Sequence, residues 1–386
     1  MNKKILGSCM LEFKLSQLTP LIHFKNETGN SIRATEMKPK LDRYISKYIK
    51  KNEIEIKQEW LSYGDKDWFL SEGDTEKGML LAYDYKLRIK TGIDQSTIRS
   101  YKKTVNSTSA IGAYFWTGSD PRFNSYYGQI IVEVLCKNKE LKELVKDIFP
   151  EFISGTTFGF RQDKGYGYFF VDQEETTVEK QRQLIEKYIN TFNKRDNKRI
   201  QLYKLNKIGG TYEQCLKKIK DFNRDIKSGE KNSGSFMLND YSYPDRSSVI
   251  HEKNAMYLTL KNIDLKNKEK IWYIRGLLGF ADHYQSSNKK EFKIKVYENG
   301  EEQKNFRFAS PMRFIPAVDF KTVFLLFDLE AVHKLQEKSN SLDIVFEYST
   351  SKKFTAKIPG SKSYDITNML DSYILNRNKY GLEKIN

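Results

Sequence analysis

Gln129-Ile-Ile-Val-Glu-Val-Leu135 is followed by Leu141, Leu144, Val145, Ile148, Phe149 and Phe152, and then by Tyr166 to Val171. The first run is short and almost wholly apolar, which reads as a buried strand. The second set recurs at intervals of three and four, the stripe of an amphipathic helix. The third reads as a closing strand. Upstream, Met10 to Phe24 reads as a strand with Leu11, Phe13 and Leu15 on one face. Met37, Leu41, Tyr44, Ile45, Tyr48 and Ile49 then mark a helix. Thr35 is placed to cap it, and Pro39 is tolerable only within its first turn. Leu81, Tyr83, Tyr85, Leu87 and Ile89 alternate with polar residues, as in a half-buried strand.

The resulting order over residues 1–175 is strand, helix, strands, strand, helix, strand. It predicts an α+β, ferredoxin-like split sheet. The chain has 386 residues, more than one core usually organises, so a second domain is expected. From about Tyr241 the sequence is richer in strands. Phe292, Ile294 and Val296 alternate with polar residues, and Asn299-Gly300 is a strong hairpin signal. Val323 to Leu329 reads as a central strand, Glu330 to Glu337 as a short helix, and Leu342 to Tyr348 as a further strand. A second α+β sheet domain is therefore predicted over 241–386. No internal sequence repeat is evident.

The formal net charge is +16, which favours a polyanionic partner over a neutral metabolite. Half of the excess lies in residues 176–235, where Lys194-Arg195, Lys198-Arg199, Lys217-Lys218 and Arg224 cluster. Leu184, Ile185, Tyr188, Ile189 and Phe192 keep helical spacing there, so residues 176–240 are read as a basic helical insertion. Gly229 to Gly234 reads as a loop. No apolar run is long enough for a membrane helix. Cys9, Cys136 and Cys215 are far apart and suit neither a disulfide framework nor a zinc site. The expectation is a cytoplasmic protein without a metal or other cofactor and without a membrane partner.

Three constellations bear on chemistry. Gly155-Thr-Thr-Phe-Gly159-Phe-Arg161-Gln-Asp-Lys164-Gly165-Tyr166-Gly167 joins a helix to a strand. Its glycines permit close backbone approach, and Arg161 and Lys164 suit a phosphodiester backbone. Tyr166 either stacks on a base or packs inward. The stretch lacks the spacing of a nucleotide-hydrolase phosphate loop. Second, Asn30-Ser-Ile-Arg33-Ala-Thr35-Glu-Met-Lys38-Pro-Lys40-Leu-Asp-Arg43 opens the first helix, and cations about a helix N-terminus suit phosphates. Third, Arg307-Phe-Ala-Ser310-Pro311-Met-Arg313-Phe-Ile-Pro316 offers Arg307 and Arg313 as RNA contacts. Its prolines point to an edge strand or loop.

The first strand ends in Leu18-Thr19-Pro20-Leu21, an Arg-containing loop opens a Lys/Arg helix, and Lys164-Gly165-Tyr166-Gly167 follows late. This order resembles the RAMP superfamily of CRISPR-associated proteins. The Arg307–Pro316 segment, preceded by Arg275-Gly-Leu-Leu-Gly279, resembles the second half of the large RAMP subunit of type III-B (Cmr) effector complexes. The resemblance covers most of the chain but not the basic stretch. Lys40-Leu41 stands where many members carry a small residue, and Trp-rich helix signatures are absent.

The resemblance implies two ferredoxin-like folds that bind guide RNA or its target beside other effector subunits. It implies RNA contact at Arg33, Lys38, Lys40, Arg43, Arg161, Lys164, Gly165 and Gly167. Some members are metal-independent ribonucleases that cut repeat RNA, and here His23 stands where a general base would be wanted. The glycine-rich loop closes the first domain instead of lying near the C-terminus, which argues against that role. Asp42, Asp120 and Asp163 lie near the basic motifs, but no spacing selects one for catalysis. A DNA- or membrane-binding protein is the remaining alternative. Neither helix-turn-helix nor zinc-finger spacing appears, and no basic amphipathic helix reads as an anchor.

Overall fold

The computed structural model describes residues 9–19, 21–22, 32–63, 82–91, 124–125, 129–159, 161–172, 176–193, 199–206, 208–229, 234–241, 248–263, 265, 270–280, 283–285, 290–304, 306 and 308–385. Two compact units divide the chain. One comprises residues 1–198, 208–217 and 314–324, the other 199–207, 218–313 and 325–386.

The first unit opens with β1 (Met10–Gln17) and the two-residue β2 (Leu21–Ile22). Helix α1 (Ala34–Lys51), β3 (Leu61–Tyr63), β4 (Ala82–Tyr83) and β5 (Tyr85–Thr91) follow. Next come β6 (Asn124–Ser125), β7 (Gln129–Cys136), α2 (Lys139–Ser154), β8 (Phe169–Val171) and α3 (Val178–Phe192). The main sheet has the order β5-β7-β1-β8, all antiparallel, with β2–β6 and β3–β4 as small separate pairs. Register places Phe13 opposite Val132, and Val132 opposite Ile89. The period-2 alternation of the sequence thus puts Leu11, Phe13 and Leu15 on one face. That face meets the helices, with Phe13 stacked on Phe149 of α2 at 4.0 Å. The opposite face carries the exposed Glu12, Lys14, Lys86, Arg88 and Lys90.

Helix α1 corrects two expectations. Its N-cap is Arg33, in extended conformation and without a side-chain cap bond, so Thr35 lies inside the helix. Pro39 then falls beyond the first turn, where it supplies no N–H to the carbonyl of Thr35. Met37, Leu41, Tyr44, Ile45 and Ile49 are buried, and this apolar stripe offsets the lost bond. Helix α2 starts as a capped helix should, with the Asn138 side chain accepting from Leu141 N at 2.9 Å. Helix α3 covers α1 and α2. Tyr188 stacks on Tyr44 at 5.3 Å, and the Tyr44 hydroxyl bonds Glu151 and Thr191.

The basic stretch is therefore divided between the units. It supplies α3 to the first and β9 (Ile200–Leu205) to the second, with α4 (Tyr212–Lys227) following. The structure adds a strand to a stretch read as helical. Ile200, Leu202, Tyr203 and Leu205 are buried, and a short apolar run does not distinguish strand from helix by period.

Further elements are β10 (Ile250–His251), α5 (Glu252–Leu260), β11 (Ile271–Trp272), β12 (His283–Gln285), β13 (Glu291–Glu298) and β14 (Glu301–Glu302). They are followed by β15 (Met312–Pro316), β16 (Val323–Asp328), α6 (Leu329–Glu337), β17 (Leu342–Glu347), β18 (Lys353–Ala356), α7 (Met369–Asn376) and β19 (Leu382–Lys384). The strands β15 and β16 belong to a sheet of order β15-β16-β9-β19. In chain order that is second, third, first, fourth, with α4 after its first strand and α6 after its third. The first unit's β5-β7-β1-β8 sheet has the same order, with α1 and α2 in the equivalent places. Strand β15 is at the edge, where its Pro316 is tolerated, and Pro311 precedes it.

A further sheet, β12-β13-β17-β18, is antiparallel, and β14 folds back on β13. Asn299 and Gly300 both have positive φ, as a two-residue hairpin turn of their kind requires. Phe346 and Phe354 stack at 4.9 Å, with Tyr273 edge-on to Phe346.

A buried ion pair sits nearby. Arg275 Nε donates to Glu252 Oε1, and both side chains are almost wholly removed from solvent. The guanidinium also lies 4.0 Å from the ring centre of Tyr284. Burial pushes the Tyr284 phenol up to about 12, with Arg275 acting against the shift.

Candidate nucleic-acid interface

The glycine-rich loop is a closed structure. Phe158 N donates to Gly167 O at 2.9 Å, and Thr157 and Tyr168 form an antiparallel bridge. Gly159, Gly165 and Gly167 have positive φ, which the chain needs to turn twice in so few residues. Between them, Gln162–Lys164 makes one 3₁₀ turn, with Lys164 N donating to Arg161 O at 2.9 Å. Arg161 itself is left-handed, at φ 60° and ψ 35°. A non-glycine residue held there is an uncommon and costly choice.

Helix α1 grips this loop. Lys40 Nζ donates to Thr157 O at 2.8 Å, to Gln162 Oε1 at 2.9 Å and to Glu36 Oε1 at 2.9 Å. Glu36 Oε1 also accepts from Gly159 N at 2.9 Å and Gln162 Nε2 at 3.1 Å. The Lys40 ammonium lies 4.8 Å from the centre of the Phe158 ring. Two of the three sequence constellations, far apart in the chain, are thus brought together by a clasp of balanced charge. Glu36 and Gln162 were not among the expected site residues. The only sequence signal was the four-residue spacing of Glu36 and Lys40, which places them on one helix face.

The expected cations divide by position. Arg33, Lys40 and Arg43 share the face of α1 that carries the clasp, and Arg33 and Arg43 are exposed. Arg161 and Lys164 are half-buried at the loop tip, where Lys164 pairs with Asp163 at 2.8 Å. Lys38 faces elsewhere. Its ammonium bonds Asp42 at 2.8 Å and Tyr83 O at 3.0 Å and lies over the Tyr85 ring. Asp42 accepts from the Tyr85 hydroxyl at 2.7 Å. Burial raises the Asp42 carboxyl above its ordinary value, while bonds from Lys38 and Tyr85 act against that shift. Lys38 and Asp42 therefore serve the first unit's core.

Of the two roles read for Tyr166, the inward one is found, with 7% of its surface exposed. Burial raises its phenol, and the nearby Arg161 charge lowers it. Gly165 and Gly167 are buried as well. Arg313 is half-buried in β15, whereas Arg307 lies outside the described residues. His23 and Asp120 also lie outside them. Among the described residues no cluster has metal-ligand composition, and no helix is long and apolar enough to cross a membrane.

Arg161→Gly is expected to hold or raise stability by up to about 1 kcal/mol, since glycine takes the left-handed conformation without strain. Thermal melting of the two proteins checks this. A fall in melting temperature would show that the arginine side chain supports the loop.

Two family models match the chain. The Cmr1 N-terminal domain matches residues 8–230, and the Cmr1 C-terminal domain matches residues 233–384. With the α+β architecture, they define a CRISPR-associated protein of the RAMP superfamily. Within that class the chain belongs to the Cmr1 family. Among solved structures, it is similar to the apo crystal structure of Cmr1 from Pyrococcus furiosus. The identity there is 11% and the TM-score 0.42, over 97% of this chain and 98% of that one. It is also similar to a chain of the type III-B Cmr-beta complex bound to cognate target RNA, seen by cryo-EM. That match has 14% identity and a TM-score of 0.23, over 44% of this chain and 62% of that one. No curated protein matches the sequence.

Proposed function

We propose that this chain is an RNA-binding subunit of a type III-B CRISPR effector ribonucleoprotein. It contacts guide RNA or its target with the first unit and adjoins other subunits of the complex in the cytoplasm. The observation that carries this reading is the clasp of Glu36 and Lys40 on the loop 157–162. It joins the loop that bears Arg161 and Lys164 to the face of α1 that carries Arg33 at the helix N-terminus and Arg43 further along. Phosphates are the ligand that such a set of cations suits. In this reading Lys40, Gly165, Tyr166 and Gly167 shape the loop, and Lys38 supports the helix. Arg313 and Arg307 form a further contact. Two ferredoxin-like folds carry these surfaces, a reading supported by the shared strand order of the two four-stranded sheets.

The test is salt-dependent binding of single-stranded RNA and of duplex DNA. Replacing Arg161 and Lys164 together by alanine is expected to weaken RNA binding about tenfold at moderate salt. The slope of log affinity against log salt should become shallower by about 1.4, roughly 0.7 for each lost cation on a single strand. The melting temperature should hold. Unchanged affinity and slope would remove the loop from the interface, and equal affinity for duplex DNA would count against the RNA reading.

A further inference from the structure

Strand β18 is at the end of its sheet, and its two edges differ. Tyr348 N donates to Lys352 O at 2.9 Å, which fixes the alternation along the strand. Phe354 and Ala356 then turn their backbone groups toward β17, and Lys353, Thr355 and Lys357 turn theirs away. Lys357 fits this pattern, because its N–H donates to Ile271 O and its carbonyl accepts from Tyr273 N, each at 2.9 Å. Strand β11 thus covers the edge at Lys357 only. Among the described residues, no backbone bond reaches Lys353 or Thr355 from that side.

A cleft of about 620 Å³ lies along this open edge. Lys270, Lys352, Lys353 and Lys357 line it with Trp272 and Thr355, and among the described residues no acidic residue does. Lys357 is paired with Asp343 at 2.9 Å. Lys353 stands opposite Glu347 of β17, whose carboxylate is paired with Lys295 at 2.6 Å. Uncovered edges of this kind are templates for another strand.

We infer that this cleft binds an extended acidic peptide of a partner protein by strand addition to β18. The free groups of Lys353 and Thr355 include carbonyl acceptors as well as N–H donors. They repeat at about 6.6–6.8 Å, the spacing of alternate residues in a strand. A peptide backbone answers both kinds of group in that rhythm, whereas a phosphodiester offers mainly acceptors. The lysines select acidic side chains. This site lies outside the first unit and does not depend on the RNA reading.

The experiment uses the full chain and a fluorescein-labelled eight-residue peptide of alternating Glu and Thr. A second, proline peptide carries eight consecutive prolines between two pairs of glutamates, with its charge kept and its central N–H donors lost. A ten-nucleotide oligouridylate is the third probe. The first peptide is expected to bind at least about tenfold more tightly than the proline peptide, because only it pairs along the edge. At saturation it should slow amide exchange at Lys353 and Thr355. The double variant K352E/K353E should lose about tenfold in affinity for it. Equal binding of the two peptides would overturn the proposal. So would slowed exchange at Lys353 and Thr355 with oligouridylate but not with the peptide. Both comparisons use the unmodified chain, so misfolding of the variant leaves them decisive.

Discussion

Glu252→Ala is expected to cost the second unit about 3–5 kcal/mol of stability, because it leaves the Arg275 charge buried and uncompensated. Glu252 is 0% exposed and Arg275 is 3% exposed, so water cannot replace the lost carboxylate. The ring of Tyr284 softens the loss without supplying a counter-charge. Urea denaturation read through second-unit tryptophan fluorescence measures the effect. The double replacement Glu252→Leu with Arg275→Met is expected to cost much less than Glu252→Ala. Glu252 Oε2 and Arg275 Nη2 find no hydrogen-bond partner among the described residues, and replacing both side chains by apolar ones removes these unsatisfied atoms along with the charges. If the double replacement cost as much as the single one, the uncompensated charge would not be the source of the loss.

Gly167→Ala should remove the loop at a cost of about 3 kcal/mol or more, the range of strong overpacking combined with an unfavourable φ. A Cβ at this position would lie 1.9 Å from the carbonyl oxygen of Phe158, which is backbone and cannot swing away. Gly167 also has a φ of +65°. The N–H of that same Phe158 donates to the Gly167 carbonyl, so relieving the clash opens the bridge that closes the loop. Gly300→Ala separates the two causes. Its φ is +86° but nothing lies within 4 Å of the added carbon, so it should cost only about 1 kcal/mol. Chemical denaturation of both variants gives the comparison. Similar losses would assign the Gly167 effect to φ alone.

The first unit was legible because its strands bury one face and its helices one stripe, so period 2 and period 3.6 both survive in the sequence. Leu11, Phe13 and Leu15, and Leu141 to Phe152, are such cases. Strand β9 was not legible, since Ile200–Leu205 is buried on both sides and loses its alternation. The start of α1 was misread because the residue with capping chemistry, Thr35, is not the cap. The helix begins at an exposed arginine.

At the candidate site, sequence chemistry found the cations but not their directions. Lys38 and Lys40 are two residues apart, a separation that turns side chains to different faces of a helix. One is fastened to Asp42 and Tyr83, the other to the glycine-rich loop. The joining of α1 to that loop depends on contacts across more than a hundred residues, which no local pattern encodes. The Glu252–Arg275 pair, 23 residues apart, likewise follows no local period.

The central claim is that RNA lies against the N-terminal part of α1 and the loop 155–167. Ultraviolet crosslinking of the assembled ribonucleoprotein, with crosslinked peptides identified by mass spectrometry, tests it most directly. RNA adducts on peptides containing Arg33 to Arg43 and Arg161 to Tyr168 are the predicted result. Adducts confined to peptides of residues 218–313 and 325–386, with none on the loop, would contradict it.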